Sequence, residues 1–419
     1  MTSKWAWWLS QIVRRIWFRA TLFSILAVLT ALLAIFISPW IPARLPGQIG
    51  ADAVDKILGI IATSMLTVTT FSLNTMVSAY TAASSNVTPR ATRLVMEDST
   101  TQNVLATFLG SFLFSLVGII MLTTGAYGEQ GRLVLFVVTI GVVILIVVTL
   151  LRWIDHLSRL GRVTETTERV ERAAIAAVNT VKASPCLGGH PLTAPDRWTV
   201  APNAPVFSDT IGYVQHVDAA ALSRIADRHE IEIAVFALAG TLVSPDEPLA
   251  YTSGPVDEDC QNAITSAFTI GDTRSFDQDP RFGASVLTEI ASRALSPAVN
   301  DPGTAIDVIS RAMRILAAWN APMEKEADEV LHPRLHVMSI ALDDLFDDLF
   351  TPIARDGAGL VEVALRLQKA FCALARFDGP GFYDNACRHA AEALARAEMD
   401  LTIDADKQRL RKAAADVGR

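Results

Sequence analysis

Of the chain's 419 residues, 51% are hydrophobic and 19% charged, against roughly a quarter charged in an ordinary soluble domain. The charge is split: residues 1–155 hold ten of the 36 Lys/Arg and six of the 44 Asp/Glu, leaving 26 and 38, so the front is +4 and the remainder −12. An acidic remainder argues against a nucleic-acid partner, because phosphate binding needs a basic face.

A membrane-spanning helix needs about 20 apolar residues. Residues 21–40, 103–125 and 133–153 meet that requirement, and 57–83 joins them because no charge lies between Lys56 and Arg90. Four transmembrane helices are therefore expected. The first apolar stretch is too long for a cleavable signal, with no small-residue cleavage site before Pro39. Orientation follows from the basic flanks. Lys4, Arg14, Arg15, Arg19, Arg90, Arg93, Arg152, Arg159 and Arg162 fall on one side, and Arg44, Lys56 and Arg132 on the other. Nine against three puts both termini in the cytoplasm, with Trp5, Trp7, Trp8, Trp17 and Trp153 on the inner flank and Trp40 on the outer.

The second span is rich in hydroxyls. At 100° per residue Thr63, Thr67, Thr70, Asn74, Ser78, Thr81 and Ser85 fall within an arc of roughly 80°. Ile61, Met65, Val68, Met76, Ala79 and Ala83 lie opposite. Polar atoms in hydrocarbon are costly, so the stripe is expected to face protein or water. Close helix packing through hydroxyls satisfies that requirement. So does a wet pathway lined by copies of this helix, which demands an oligomer because four spans leave little interior. After the span, Thr88 and Pro89 have the pattern of a helix cap with Pro at the first position. Arg90 and Arg93 then sit where lipid headgroups, or a gate, would meet them.

Beyond the spans the expected layout is a connecting helix and linker over 156–199, a small β-rich module over 200–254, and a helical module over 255–419. Glu230, Ile231, Glu232, Ile233, Ala234 and Val235 alternate as a half-buried strand does. The string Ile211-Gly212-Tyr213-Val214, with Gly240-Thr241-Leu242-Val243 and Pro248-Leu249, resembles a barrel-sandwich hybrid, without the lysine of its carrier members. Asp279-Pro280 and Asp301-Pro302 read as N-caps followed by Pro at N1. Leu342, Leu345, Phe346 and Leu349 share one helix face. Asp343, Asp344, Asp347 and Asp348 then form a solvated acidic face or, less often at such spacing, a hard-cation site. His332 and His336 are four apart, but Pro333 makes a shared helix face doubtful. Cys186, Cys260, Cys372 and Cys387 are scattered without zinc spacing, so no metal and no cofactor is expected.

Two strings carry a resemblance: Phe276-Asp-Gln-Asp-Pro-Arg-Phe-Gly283, and Ala294-Leu-Ser-Pro-Ala-Val-Asn-Asp-Pro-Gly-Thr-Ala305. With Thr88-Pro89-Arg90, they resemble a bacterial family of predicted membrane proteins known as domain of unknown function 2254, from the first span to about residue 375. Gly303 stands where the family pattern has a bulky apolar residue. The resemblance implies architecture and no activity. Asn300, Asp301 and Thr304 suit a capped tight turn, or a polar contact at a helix start.

No Walker loop, dinucleotide fingerprint, G-x-S-x-G or H-E-x-x-H string occurs, so an enzyme is not expected. The expectation is a multi-pass protein of the bacterial inner membrane, touching the lipid bilayer and assembled as a homo-oligomer. In it the second span would line a path for a small ion or solute. The alternative is a membrane-anchored scaffold or sensor that moves nothing across the bilayer.

Overall fold

The structure, a computed structural model, describes residues 4–13, 15–37, 51–124, 129–200, 203–322 and 330–418. The end of the expected first span (38–40, with Trp40), Gly125, Arg14 and Arg44 lie outside the described residues. The chain forms two compact units, Trp8–Thr166 and Thr167–Arg419 with Met1–Trp7.

The first unit is helical. After α1 (Lys4–Val13) come α2 (Ile16–Ile37), α3 (Ala51–Asn86), α4 (Thr92–Met96), α5 (Ser99–Thr123) and α6 (Glu129–Leu157). By length and composition α3, α5 and α6 can each cross a membrane, over Ala53–Ser85, Ser99–Thr123 and Gly131–Leu157. The apolar described stretch of α2, Trp17–Thr30, is shorter than a span. α5 is central and packs against α2, α3 and α6. Ile61 and Met65 of α3 meet Val104 and Phe108 of α5 and Ile146 and Trp153 of α6 in one buried cluster. Asp98 caps α5 through the Thr101 amide at 2.9 Å and reaches His156 Nε2 of α6 at 2.8 Å, which ties the start of one helix to the end of the next. Between α3 and α4, Thr88 accepts from the Arg90 amide at 3.3 Å, with Pro89 opening a 3-10 turn.

The second unit holds α7 (Val163–Ala183), β1 (His190–Pro191), β2 (Ala204–Phe207), β3 (Gly212–Val217), α8 (Ala219–His229), β4 (Ile233–Val235), β5 (Leu242–Val243), β6 (Pro248–Thr252), α9 (Glu258–Ser266) and β7 (Phe268–Gly271). They are followed by α10 (Pro280–Ala294), α11 (Pro302–Asn320), β8 (Leu335–Val337), α12 (Leu342–Asp356), α13 (Val361–Leu374), α14 (Phe382–Asp400) and α15 (Asp404–Ala414). α6 does not continue unbroken into α7: residues 158–162 turn, and Gly161 takes a φ of +80°. A residue without a Cβ suits that left-handed backbone.

The strands form a five-stranded sheet in the order β1-β8-β4-β6-β2 and a three-stranded sheet β5-β3-β7. β8 pairs in parallel with both β1 and β4, while β4–β6, β2–β6 and both pairs of the smaller sheet are antiparallel. The β-rich segment over 200–254 therefore does not close on itself as a barrel-sandwich hybrid. Its sheets recruit β1, β7 and β8 from outside that range, and α8 and α9 contribute to the same core. β4 also departs from the half-buried alternation. It is an interior strand, all three residues are buried, and Glu230 is the left-handed C-cap of α8. His332 precedes β8 and His336 lies within it, so the two share no helix face.

Candidate functional site

Within its own unit α3 buries one face only. Val54, Leu58, Ile61, Met65, Met76, Ala79 and Ala83 are buried, and they recur at helical spacing. The seven polar positions Thr63, Thr67, Thr70, Asn74, Ser78, Thr81 and Ser85 are all exposed, on the opposite side of the helix. The chain thus brings its polar stripe together and turns it away from the bundle that holds α3. Phe71 and Val77, 62% and 59% exposed, border it. A shallow groove of about 780 Å³ runs along the start of the stripe, lined by Lys56, Gly59, Ile60, Thr63, Ser64 and Thr67 among others.

The stripe's side chains are not equivalent. The Thr63, Thr67, Thr70, Ser78 and Thr81 hydroxyls each donate to the carbonyl four residues back, at about 3.0 Å, and Ser85 donates to the Ala82 carbonyl. Back-bonding of this kind satisfies the hydroxyl proton within the helix. Asn74 does not back-bond in this way: among the described residues its carboxamide makes no hydrogen bond.

Arg90 is exposed beyond the end of α3, and Arg93 is committed to Glu97 at 2.8 Å.

The first shared string is a structural joint. Ser275 and the Trp7 indole donate to Asp277 at 3.0 and 2.9 Å, and Gln278 accepts from the Val217 amide at 3.0 Å. Asp279 caps α10 through the Phe282 amide and holds Arg274 through two contacts of 2.7 and 2.9 Å. Burial raises the Asp279 carboxyl, with Arg274 opposing. Arg281 grips Asp344 and Asp348 of α12 at 2.7 Å each. Gly283 lets α10 approach α7: a Cβ there would lie 2.5 Å from that of Ala174. In the second string Asn300 takes a φ of +49°, and Asp301 caps α11 through both the amide and the hydroxyl of Thr304, at 3.1 and 2.6 Å. The Thr304 hydroxyl and amide hold the Asp301 carboxyl below its usual range.

The four aspartates in the first half of α12, Asp343, Asp344, Asp347 and Asp348, are all engaged. Asp344 and Asp348 hold Arg281, Asp347 holds Arg388 at 2.9 Å, and Asp343 accepts from Asn385 at 2.7 Å. They dock α12 onto α10 and α14 rather than gathering as hard-cation ligands. A cleft of about 770 Å³ opens beside them, lined by Thr288, Asp347, Asp348, Arg355, Arg388 and Glu392 among others. Its two arginines are already paired, Arg355 with Asp356 and Arg388 with Asp347.

One cluster is absent from any sequence pattern. His229 at the end of α8, and Asp257 and Cys260 at the start of α9, bring an imidazole nitrogen, a carboxylate oxygen and a thiol sulfur within 4.8 Å of one another. Three strands and their turns separate these helices in sequence, so spacing carries no signal.

The family model described as "Predicted membrane protein (DUF2254)" matches residues 13–373, most of the chain and both shared strings. The chain belongs to this family. Uncharacterized proteins of Mycobacterium bovis and Mycobacterium tuberculosis are each 25% identical to it over 284 residues. The match covers 65% of this chain and 54% of theirs, so it spans about half the length of these curated relatives. No solved structure matches the chain. Membership carries membrane residence and no activity with it.

Proposed function

We propose that the protein is a homo-oligomeric permeation protein of the bacterial inner membrane, with α3 of each copy facing a shared path for a small ion or solute. In this reading α2 is a fourth span, both termini are cytoplasmic by the basic-flank count, and the acidic second unit assembles or gates the path. No catalytic step is part of it. The observation that carries it is Asn74: exposed on the outward side of a helix that can cross the membrane, with no side-chain hydrogen bond among the described residues. An unpaired amide moved from water into hydrocarbon costs roughly 4–8 kcal/mol. Lipid is therefore the wrong neighbour for this face, and water or a second copy the right one. The uncharged stripe would give weak charge selectivity.

A membrane-anchored scaffold is the second reading, favoured by the back-bonded hydroxyls, which can pack against another helix without any water. Flux through reconstituted vesicles separates the two. The permeation reading expects Asn74→Leu and Thr70→Val to change a measurable wild-type flux. Vesicles that are tight with wild-type protein, or flux indifferent to both substitutions, reduce the stripe to a packing face.

A further inference from the structure

We propose that His229, Asp257 and Cys260 form a three-ligand site for a borderline-soft divalent metal ion, with Zn²⁺ the ion that their donor set fits. The site lies at the rim of the mixed-sheet core. Its ligands come from the last residue of α8 and from the cap and first turn of α9, two helices that pack together. Each ligand is held by a different feature of the backbone. Glu230, in the left-handed conformation, ends α8 immediately after His229. Asp257 caps α9 by accepting the Cys260 amide at 2.8 Å, which fixes the carboxylate above the thiol's own backbone. That cap occupies one carboxylate oxygen and leaves the other free to ligate.

Two observations distinguish this cluster from an ordinary polar surface. The first is composition: nitrogen, oxygen and sulfur donors converge within 4.8 Å. This set suits zinc and its neighbours, and it does not suit Ca²⁺ or Mg²⁺, which take oxygen. The second is that the imidazole and the thiol have no other polar partner among the described residues, Cys260 otherwise packing in the mixed-sheet core. Neither the His229 ring nor the Cys260 thiol makes a hydrogen bond or ion pair among the described residues, although Cys260 is only 1% exposed. Zinc–ligand bonds of about 2.0–2.3 Å set neighbouring donors about 3.4–3.8 Å apart in a tetrahedron. Donors within 4.8 Å of one another therefore need to close by at most about 1.4 Å, and the exposed His229 ring is free to rotate toward the other two. Burial and the Asp257 carboxylate push the Cys260 thiol up, so binding must displace a proton from sulfur. Three protein ligands leave a fourth position for water or a partner's donor.

Cobalt(II) is the probe, because a thiolate ligand adds a sulfur-to-cobalt charge-transfer band in the near ultraviolet. Full-length protein in detergent, stripped with a chelator, is titrated with Co²⁺ and then with Zn²⁺. The expected result is one equivalent of Co²⁺ per chain with the charge-transfer band, bleached by Zn²⁺. Cys260→Ser should abolish the band, while Cys186→Ser, Cys372→Ser and Cys387→Ser combined should leave it intact. His229→Ala should weaken Zn²⁺ binding by at least about tenfold. That side chain is exposed, so its loss does not threaten the fold. No band, a band that survives Cys260→Ser, or unchanged Zn²⁺ affinity in His229→Ala would each overturn the site.

Discussion

His389 shows how a single side chain can report on the core around it. It is 2% exposed, and its ring lies 5.6 Å from that of Phe346, 5.9 Å from Phe371 and 6.2 Å from Phe350. Its Nε2 comes within 3.1 Å of an Asp347 oxygen, yet the angle is too poor for a hydrogen bond, so that nitrogen stays unsatisfied. Burial, aided by Arg388 and opposed by Asp347, lowers its pKa from 6.5 to about 4. In the unfolded chain the imidazole takes up a proton as pH falls through 6.5, while the folded chain refuses it down to about 4. The stability from keeping it neutral is thus fully present above the upper value and is lost as pH falls through that window, by at most about 1.4 kcal/mol per pH unit. His389→Phe keeps an aromatic ring among aromatics and removes the titration. Thermal unfolding in detergent at about neutral pH and at about pH 5 should show a smaller acid-induced drop in the variant than in the wild type. Equal drops would mean that carboxylates, such as Glu171 of α7 paired with Arg311 and Arg314 of α11, set the acid limit.

Among the elements, α12 was half legible in the sequence. Leu345, Phe346 and Leu349 are buried as their spacing demands, but the spacing of the aspartates predicts only a solvated face or a cation site. Their partners Arg281, Asn385 and Arg388 sit on α10 and α14, and no local pattern in α12 encodes them. Arg281 joins two helices through two carboxylates while remaining 38% exposed, so solvent screening limits each contact. A double-mutant cycle on Arg281→Ala and Asp348→Ala should give a coupling on the order of 1 kcal/mol in urea unfolding. A coupling indistinguishable from zero would return the aspartates to the role of a solvated face. The same division runs through the unit. The caps at Asp279 and Asp301 are local, so Asp-Pro gave the starts of α10 and α11. The parallel pairing of β8 with β1 and β4 is non-local and rests on strands of two and three residues, too short for any periodicity to show. The His229, Asp257 and Cys260 cluster depends on that tertiary arrangement, and composition could not have found it.

For the whole molecule the question is what covers the outward face of α3. Its helix runs 36 residues, about 54 Å at 1.5 Å each, against a hydrocarbon core of about 30 Å. The buried face of α3 belongs to α5 and α6, and a single bundle with so small an interior cannot wrap the opposite face as well. Either lipid bears the cost of Asn74 or another copy removes it. Cross-linking distinguishes these directly in a background without the four native cysteines. Asn74→Cys and Ser78→Cys should form disulfide-linked dimers in native membranes, because equivalent helices would meet across a symmetry axis. Ile61→Cys, which is 6% exposed in its own bundle, should not. Native mass spectrometry of the same protein in lipid nanodiscs should then give one discrete oligomer of ring size. A monomer in lipid, with no cross-link at position 74, would remove the shared path altogether and leave the scaffold reading. Cross-links at 74 with only a dimer would be the more instructive failure: two copies can seal their stripes against each other but cannot surround a wet lumen. In that outcome the hydroxyls and Asn74 act as the adhesive of a tight helix pair, and the search for function moves to the second unit.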